Sequence, residues 1–213
     1  MNIEENNWES YFYENENILK NKLDIHNELE LKKYEYEIVA RKNALLYLSE
    51  IKGNFDIEHL KNIHKFLFED IYPFAGDFRL VNMGKANRAS FTDYKRIEEN
   101  LYDILNNIDS KLIFNANAKF LYAEALANIY YLLLEIHPFR EGNGRTIREF
   151  LREYVKDRNK YLDNIEYELD FTLNEEDKIL FESATKSHTR GMLVLLFNKM
   201  LKVDQKEFNK YKI

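Results

Sequence analysis

The chain contains no cysteine, only two prolines and only six glycines among its 213 residues. Without cysteine there is neither a disulfide framework nor a thiolate metal site, which fits a reducing cytoplasm. With so little proline and glycine, few turns are signalled, and long helices are favoured over many short strands. No uninterrupted apolar stretch is long enough to cross a bilayer. The opening MNIEENNWESYFYENEN lacks the basic stretch and apolar run of a secretory signal. Positive charge is also in short supply: 31 Lys and Arg against 37 Asp and Glu give a net charge of -6. That balance argues against a surface built mainly for nucleic acid, while leaving room for a local anion site. What remains is 45% apolar and 32% charged, ordinary for a soluble globular protein and enough for one domain with a full core. The expectation is a cytoplasmic protein with no membrane segment and no direct nucleic-acid partner.

The apolar pattern predicts a mainly helical single domain. Residues 1–28 read as an N-terminal entry segment, partly extended or loosely packed. The domain proper occupies 29–202, and a charged tail follows at 203–213. A first helix spans Leu29–Ser49, with Leu31, Tyr34, Ile38, Leu45 and Leu48 on its apolar stripe and Arg41 interrupting it. Phe55-Asp56 opens a second, with Leu60, Ile63 and Leu67 on one side. Phe78 to Met83 reads as a short strand, Gly84 to Ala89 as a hairpin tip and Ser90-Phe91 as its return. Helical pattern resumes from Asp93 to Ile108, from Ala118 to Ile136, after Gly142, and over Asn174–Lys186 and Thr189–Lys202.

Both prolines lie in loops with glycine close behind, and the second loop, His137-Pro138-Phe139-Arg140-Glu141-Gly142-Asn143-Gly144-Arg145, carries the chemistry. A long apolar helix delivers His137 at its C-terminal end. Gly142-Asn143-Gly144 permits an unusual backbone path into the next helix, where successive N–H groups and the helix N-terminus converge on an anion. Arg145 and Arg148, three apart, project from one side of the first turns and suit phosphate oxygens. Glu141 beside such a site calls for a bridging cation, and Mg²⁺ commonly takes one or two carboxylates with phosphates and water. His137 supplies a base that titrates near neutrality. Any one of these features alone is ordinary: a capping histidine, a common turn, a solvated pair of arginines. Within twelve residues each supplies what the others need. His26, His59 and His64 read as structural or surface residues, His188 near a helix junction as a cap with no further role, and Lys85 as a solvated turn lysine. Arg79 is noted without a fixed role.

HPFREGNGRTIR resembles the signature of the Fic family, His-x-Phe-x-(Asp/Glu)-Gly-Asn-Gly-Arg-x-x-Arg, at every fixed position. GNFDIEHLKNIHKFLFEDIYPFAGDFR resembles the segment before the family's hairpin, and Asn17-Ile18-Leu19-Lys20-Asn21-Lys22-Leu23 the opening of short bacterial Fic toxins. The resemblance implies a helical Fic fold with a short β-hairpin flap over the active site. It implies His137 as the base, Glu141 as the Mg²⁺ ligand, and Gly142, Asn143 and Gly144 as an anion hole. Arg145 and Arg148 would bind the distal phosphates of ATP. Val81, Asn82, Met83 and Phe91, in the flap, would dock a target segment by main-chain pairing. The implied activity is AMP transfer from ATP to a protein hydroxyl, since Gly144 stands where a phosphate-transferring branch has lysine. The other readings are a nucleotide- or partner-binding module and transfer of another nucleotidyl group. The family's inhibitory motif, (Ser/Thr)-x-x-x-Glu-(Gly/Asn), matches only at Ser10 to Asn15. The resemblance to short toxins points instead to a small antitoxin acting in trans, and to type II topoisomerase ATPase subunits as targets.

Overall fold

The computed structural model describes residues 8–84, 90–187 and 189–205. The expected hairpin tip with Lys85, and also His188, lie outside them. The elements run α1 (Glu28–Leu48), α2 (Ile57–Phe68), α3 (Ile97–Leu105), α4 (Ile108–Leu112), α5 (Lys119–Ile136), α6 (Asn143–Arg158), β1 (Ile165–Leu169), α7 (Glu175–Ser187), α8 (Arg190–Met200) and β2 (Leu201–Gln205). The mainly helical class is therefore what the chain adopts. Helix starts follow capping chemistry: the Asn27 side chain accepts from Glu30 N–H and Asp56 from His59 N–H, each satisfying a donor the helix leaves over. Among the described residues no helix is long and apolar enough to cross a membrane.

The described residues fall into two compact units. One comprises those up to Leu105 together with Leu134–Ile147, the other Asn106–Leu133 together with those from Arg148 onward. In the first unit, Leu60, Ile63, Leu67 and Phe68 of α2 and Ile97 and Leu101 of α3 are buried, each contributing roughly 1.5–3 kcal/mol. On α1 the buried stripe is Leu31, Glu35, Val39 and Leu46, while Leu45 and Leu48 are exposed. The expected stripe through Leu45 and Leu48 is thus displaced by about one position. Glu35 lies on this buried stripe, where its carboxylate meets the Tyr72 hydroxyl and the Arg145 guanidinium. The entry segment is better tied than expected. Phe12 bridges Leu19, Lys20 N–H donates to Tyr11 O at 2.8 Å, and Lys22 N–H to Ile71 O at 2.7 Å. The buried Asn21 side chain holds its own turn through Leu19 O, Ile25 O and the N–H groups of Leu23 and Ile25.

In the second unit Tyr122, Leu126, Ile129, Tyr130 and Leu133 of α5 and Phe150, Leu151 and Tyr154 of α6 are buried. Here one expectation fails. The last helix does not run to Lys202: it ends at Met200, and Leu201–Gln205 pairs antiparallel with β1, Leu169 against Leu201 and Tyr167 against Val203. The Asn159 side chain clamps Tyr167 by accepting from its N–H and donating to its carbonyl, at 2.9 and 2.8 Å. Tyr167 and Leu169 are buried while Glu166 and Glu168 are exposed, the alternation of a half-covered strand. The segment 78–83 forms no strand; among the described residues its main-chain hydrogen bond to the return limb runs from Phe91 N–H to Met83 O at 3.0 Å.

Candidate active site

Helix α5 ends at Ile136, and the chain reverses at His137, whose φ is +51°. This left-handed conformation, common for glycine beyond a helix C-terminus, costs a residue with a Cβ about 1–2 kcal/mol. It therefore needs external support, which comes from Arg79. The Arg79 guanidinium, 1% exposed, donates from Nε to the His137 carbonyl at 2.7 Å and from Nη2 to Ile136 O at 3.2 Å. Nη1 reaches Val81 O at 2.5 Å, and Nη2 also bonds Thr92 O. The Arg79 N–H donates to Pro138 O at 2.9 Å. One buried cation thus ties the C-terminal carbonyls of α5 to both limbs of the expected flap. The negative end of the helix dipole balances its charge, and burial lowers its pKa to about 10. Arg79 was visible in the sequence as a lone charge within Phe78-Arg79-Leu80-Val81, but nothing there fixed its target.

The His137 ring, half-buried, stacks on Phe91 with centroids 3.9 Å apart and planes within 13°. Of the four residues expected to dock a target, Phe91 therefore packs on His137 itself. Asn82 Oδ1 caps Tyr94 N–H at 3.1 Å. Met83 O takes the Phe91 N–H, and Val81 is buried with its carbonyl held by Arg79. Val81 belongs to the support of the flap more than to its surface.

The loop after His137 is closed by its own residues. Asn143 Oδ1 accepts from Phe139 N–H, and its Nδ2 donates to Phe139 O, both at 2.8 Å. The Asn143 side chain is thereby spent on the loop, leaving its backbone for a ligand. Gly142 has φ +80°, and a Cβ there would lie 2.3 Å from the Phe68 ring, so two independent constraints require glycine. The first helical bond of α6 runs from Thr146 N–H to Gly142 O. The N–H groups of Asn143, Gly144 and Arg145 accordingly have no acceptor within their own helix, and they mark its positive end.

His64 of α2 fixes the loop from below. Its Nδ1 accepts from Gly76 N–H at 2.8 Å, which places the proton on Nε2, and Nε2 donates to Glu141 O at 3.0 Å. The ring stacks on Phe139 with centroids at 3.8 Å and planes within 4°. Burial pushes its pKa down to about 4, so it is neutral at physiological pH. The two proline-glycine loops are joined through this one histidine. Arg140 points the other way, its buried guanidinium 4.7, 5.7 and 5.1 Å from the ring centres of Trp8, Tyr11 and Phe12.

The Glu141 carboxylate is 41% exposed and accepts from Gly142 N–H at 2.9 Å. Among the described residues no group of three or more His, Asp or Glu could hold a metal by itself. A single carboxylate at a helix N-terminus fits Mg²⁺ that shares its other positions with phosphates and water. Arg145 does not stand open: Nη1 is 2.5 Å from Glu35 and Nη2 3.4 Å from Glu141. Arg148, one turn along α6, lies over the Phe181 ring at 5.9 Å. Glu35 and Tyr72, which complete this network, were not singled out in the sequence. The signal was an acid at four-residue spacing between Leu31 and Val39.

A mainly helical fold that presents a histidine-led, glycine-closed loop at a helix N-terminus has the architecture of a Fic domain. The Fic/DOC family model matches residues 54–155. Protein adenylyltransferase VbhT of Bartonella schoenbuchensis is 34% identical over 150 residues, covering 68% of this chain but 30% of VbhT. Probable protein adenylyltransferase y4lH of Sinorhizobium fredii is 32% identical over 65% of this chain and 71% of its own length. The crystal structure of BepC from Bartonella tribocorum with bound AMPPNP superposes with a TM-score of 0.79 at 21% identity, covering 92% of this chain and 98% of BepC. The chain belongs to the Fic/DOC family.

Proposed function

We propose that this chain is a protein adenylyltransferase, moving AMP from ATP to a hydroxyl side chain of a target protein. The observation that carries the reading is the coupling of a rigidly held histidine to a helix N-terminus across one six-residue loop, His137 to Gly142. His137 takes the proton of the target hydroxyl as its oxygen attacks the α-phosphorus, and the bond to the departing pyrophosphate breaks in line. The N–H groups at the start of α6 and Arg148 bind the phosphates, whose charge they offset in the transition state. Mg²⁺ held by Glu141 would supply further positive charge to the phosphate oxygens. The names of the relatives and the AMPPNP in BepC support the reading.

Control belongs to the same proposal. Glu14 is exposed and sits in the turn that joins Phe12 to Leu19, not on a helix, which favours an inhibitor supplied by a separate small protein. The test incubates the chain with α-labelled ATP and a host lysate, then repeats it with His137→Ala. The expected result is labelled protein with the wild type and none with the variant, which still binds nucleotide. Label from γ-labelled ATP alone would make the chain a kinase. Nucleotide binding without label would make it a binding module, and label from UTP in place of ATP would change the transferred group.

A further inference from the structure

We propose that Glu35 is a positioning residue for the metal-nucleotide site. It holds the Arg145 guanidinium away from Glu141 and so keeps the Glu141 carboxylate available to a divalent cation. This rests on the function proposed above and reassigns Arg145 from phosphate ligand to the middle of a carboxylate network.

The sequence expectation for Arg145 was a side chain facing phosphates. Its position is different. Nη1 lies 2.5 Å from Glu35 Oε1, and Nη2 lies 3.4 Å from Glu141 Oε1. The guanidinium carbon is 4.8 Å from the centre of the Phe68 ring, which backs it. The short contact is to Glu35 and the long one to Glu141, and at a charge-assisted bond that difference separates a full hydrogen bond from a weak one. Glu35 is itself fixed. It is 9% exposed on the buried face of α1, and its second oxygen accepts from the Tyr72 hydroxyl. Burial, reinforced by the Glu35 charge, keeps the Tyr72 phenol protonated and therefore a donor.

Two carboxylates share one guanidinium, so the cluster keeps a net negative charge beside the helix N-terminus. Remove the charge of Glu35 and the arithmetic changes: one cation then faces one carboxylate. Arg145 would close on Glu141 Oε1, the same oxygen that already accepts from Gly142 N–H, and compete there with a metal ion. The buried acid on α1 thus acts on the site only through Arg145.

The experiment measures AMPPNP binding by calorimetry across a Mg²⁺ series, with thermal unfolding in parallel. For Glu35→Gln, the Mg²⁺ concentration at half-effect should rise roughly five- to tenfold, with AMPPNP affinity at saturating Mg²⁺ within about twofold of wild type. The double variant Glu35→Gln/Arg145→Gln should bring the Mg²⁺ requirement back down, because the competing cation is gone. A merely structural role would lower the unfolding temperature without moving the Mg²⁺ midpoint. An unshifted midpoint in Glu35→Gln, or a double variant no better than the single, overturns the proposal. Should Glu35→Gln not fold, Arg145→Gln decides alone. The proposal expects a lower Mg²⁺ midpoint, whereas a tenfold or greater loss of AMPPNP affinity at saturating Mg²⁺ would make Arg145 a direct phosphate ligand. A wild type that binds no AMPPNP at any Mg²⁺ level sinks the functional reading first and this inference with it; a normal wild type with an unmoved Glu35→Gln sinks this inference alone.

Discussion

His64 should make the site loop acid-sensitive. Folded, its pKa is lowered to about 4 from 6.5, chiefly by burial. In the unfolded chain it titrates at its ordinary value. Between these values the unfolded state binds the proton and the folded state does not, so stability is fully present above about pH 6.5 and is lost as pH falls towards 4. Integrating the difference from pH 7 to pH 5 gives a loss of about 2 kcal/mol from this one group. The structural event is specific: a proton on Nδ1 turns an acceptor for Gly76 N–H into a donor facing a donor. Carboxylates titrate nearby, so the assay is a comparison. Urea unfolding of wild type and His64→Gln is measured at both pH values, Gln keeping an acceptor and a donor. The wild type should lose about 2 kcal/mol more than the variant over that interval. Parallel losses in the two proteins would refute the claim that His64 is held neutral between the two loops.

Arg79→Met removes the shared donor of four backbone carbonyls and should cost about 3–5 kcal/mol in urea unfolding; a loss below about 1 kcal/mol would mean that the clamp is incidental. Gly142→Ala meets both a positive φ and the Phe68 ring, and should destabilise by roughly 2–5 kcal/mol. Phe68→Leu in the same chain should recover part of that, and a Gly142→Ala protein that melts with wild type would disprove the close approach. Glu14→Gly, at an exposed turn, should leave self-labelling of the purified chain within about twofold. A large rise from a nearly silent wild type would show that the inhibitor is built in.

The helices were legible because their signals are local. Asp56 before an apolar run, and Leu60, Ile63 and Leu67 at helical spacing, specify α2 without reference to anything distant. The strand pair was not legible, because neither strand has meaning alone. In sequence Leu201 and Lys202 read as the end of a helix and the residues after them as a charged tail; only pairing with Ile165–Leu169 makes Leu201–Gln205 a strand. The stripe on α1 was misplaced for a related reason. Hydrophobicity placed Leu45 and Leu48 inside, yet the buried stripe carries Glu35, whose partners Tyr72 and Arg145 are distant in sequence.

The candidate site divides along the same line. Its candidate residues could be picked out from one loop, since His137, Glu141 and the turn Gly142 to Gly144 are neighbours in sequence. Its rigidity could not, because the residues that hold the loop come from elsewhere: His64 from α2, Arg79 from the segment after Gly76, Glu35 from α1. Each is a polar residue in an apolar setting, and each would be a destabilising error if unpaired. Each has at least one bond to a backbone carbonyl of the loop or to Arg145 and at least one to another part of the unit, so each ties the loop around His137 to the rest of the fold. A histidine held at φ +51° by a distant arginine is a local strain that the rest of the unit keeps in place. It is the lone polar residues within apolar surroundings, more than the motif itself, that tell how firmly this site is built.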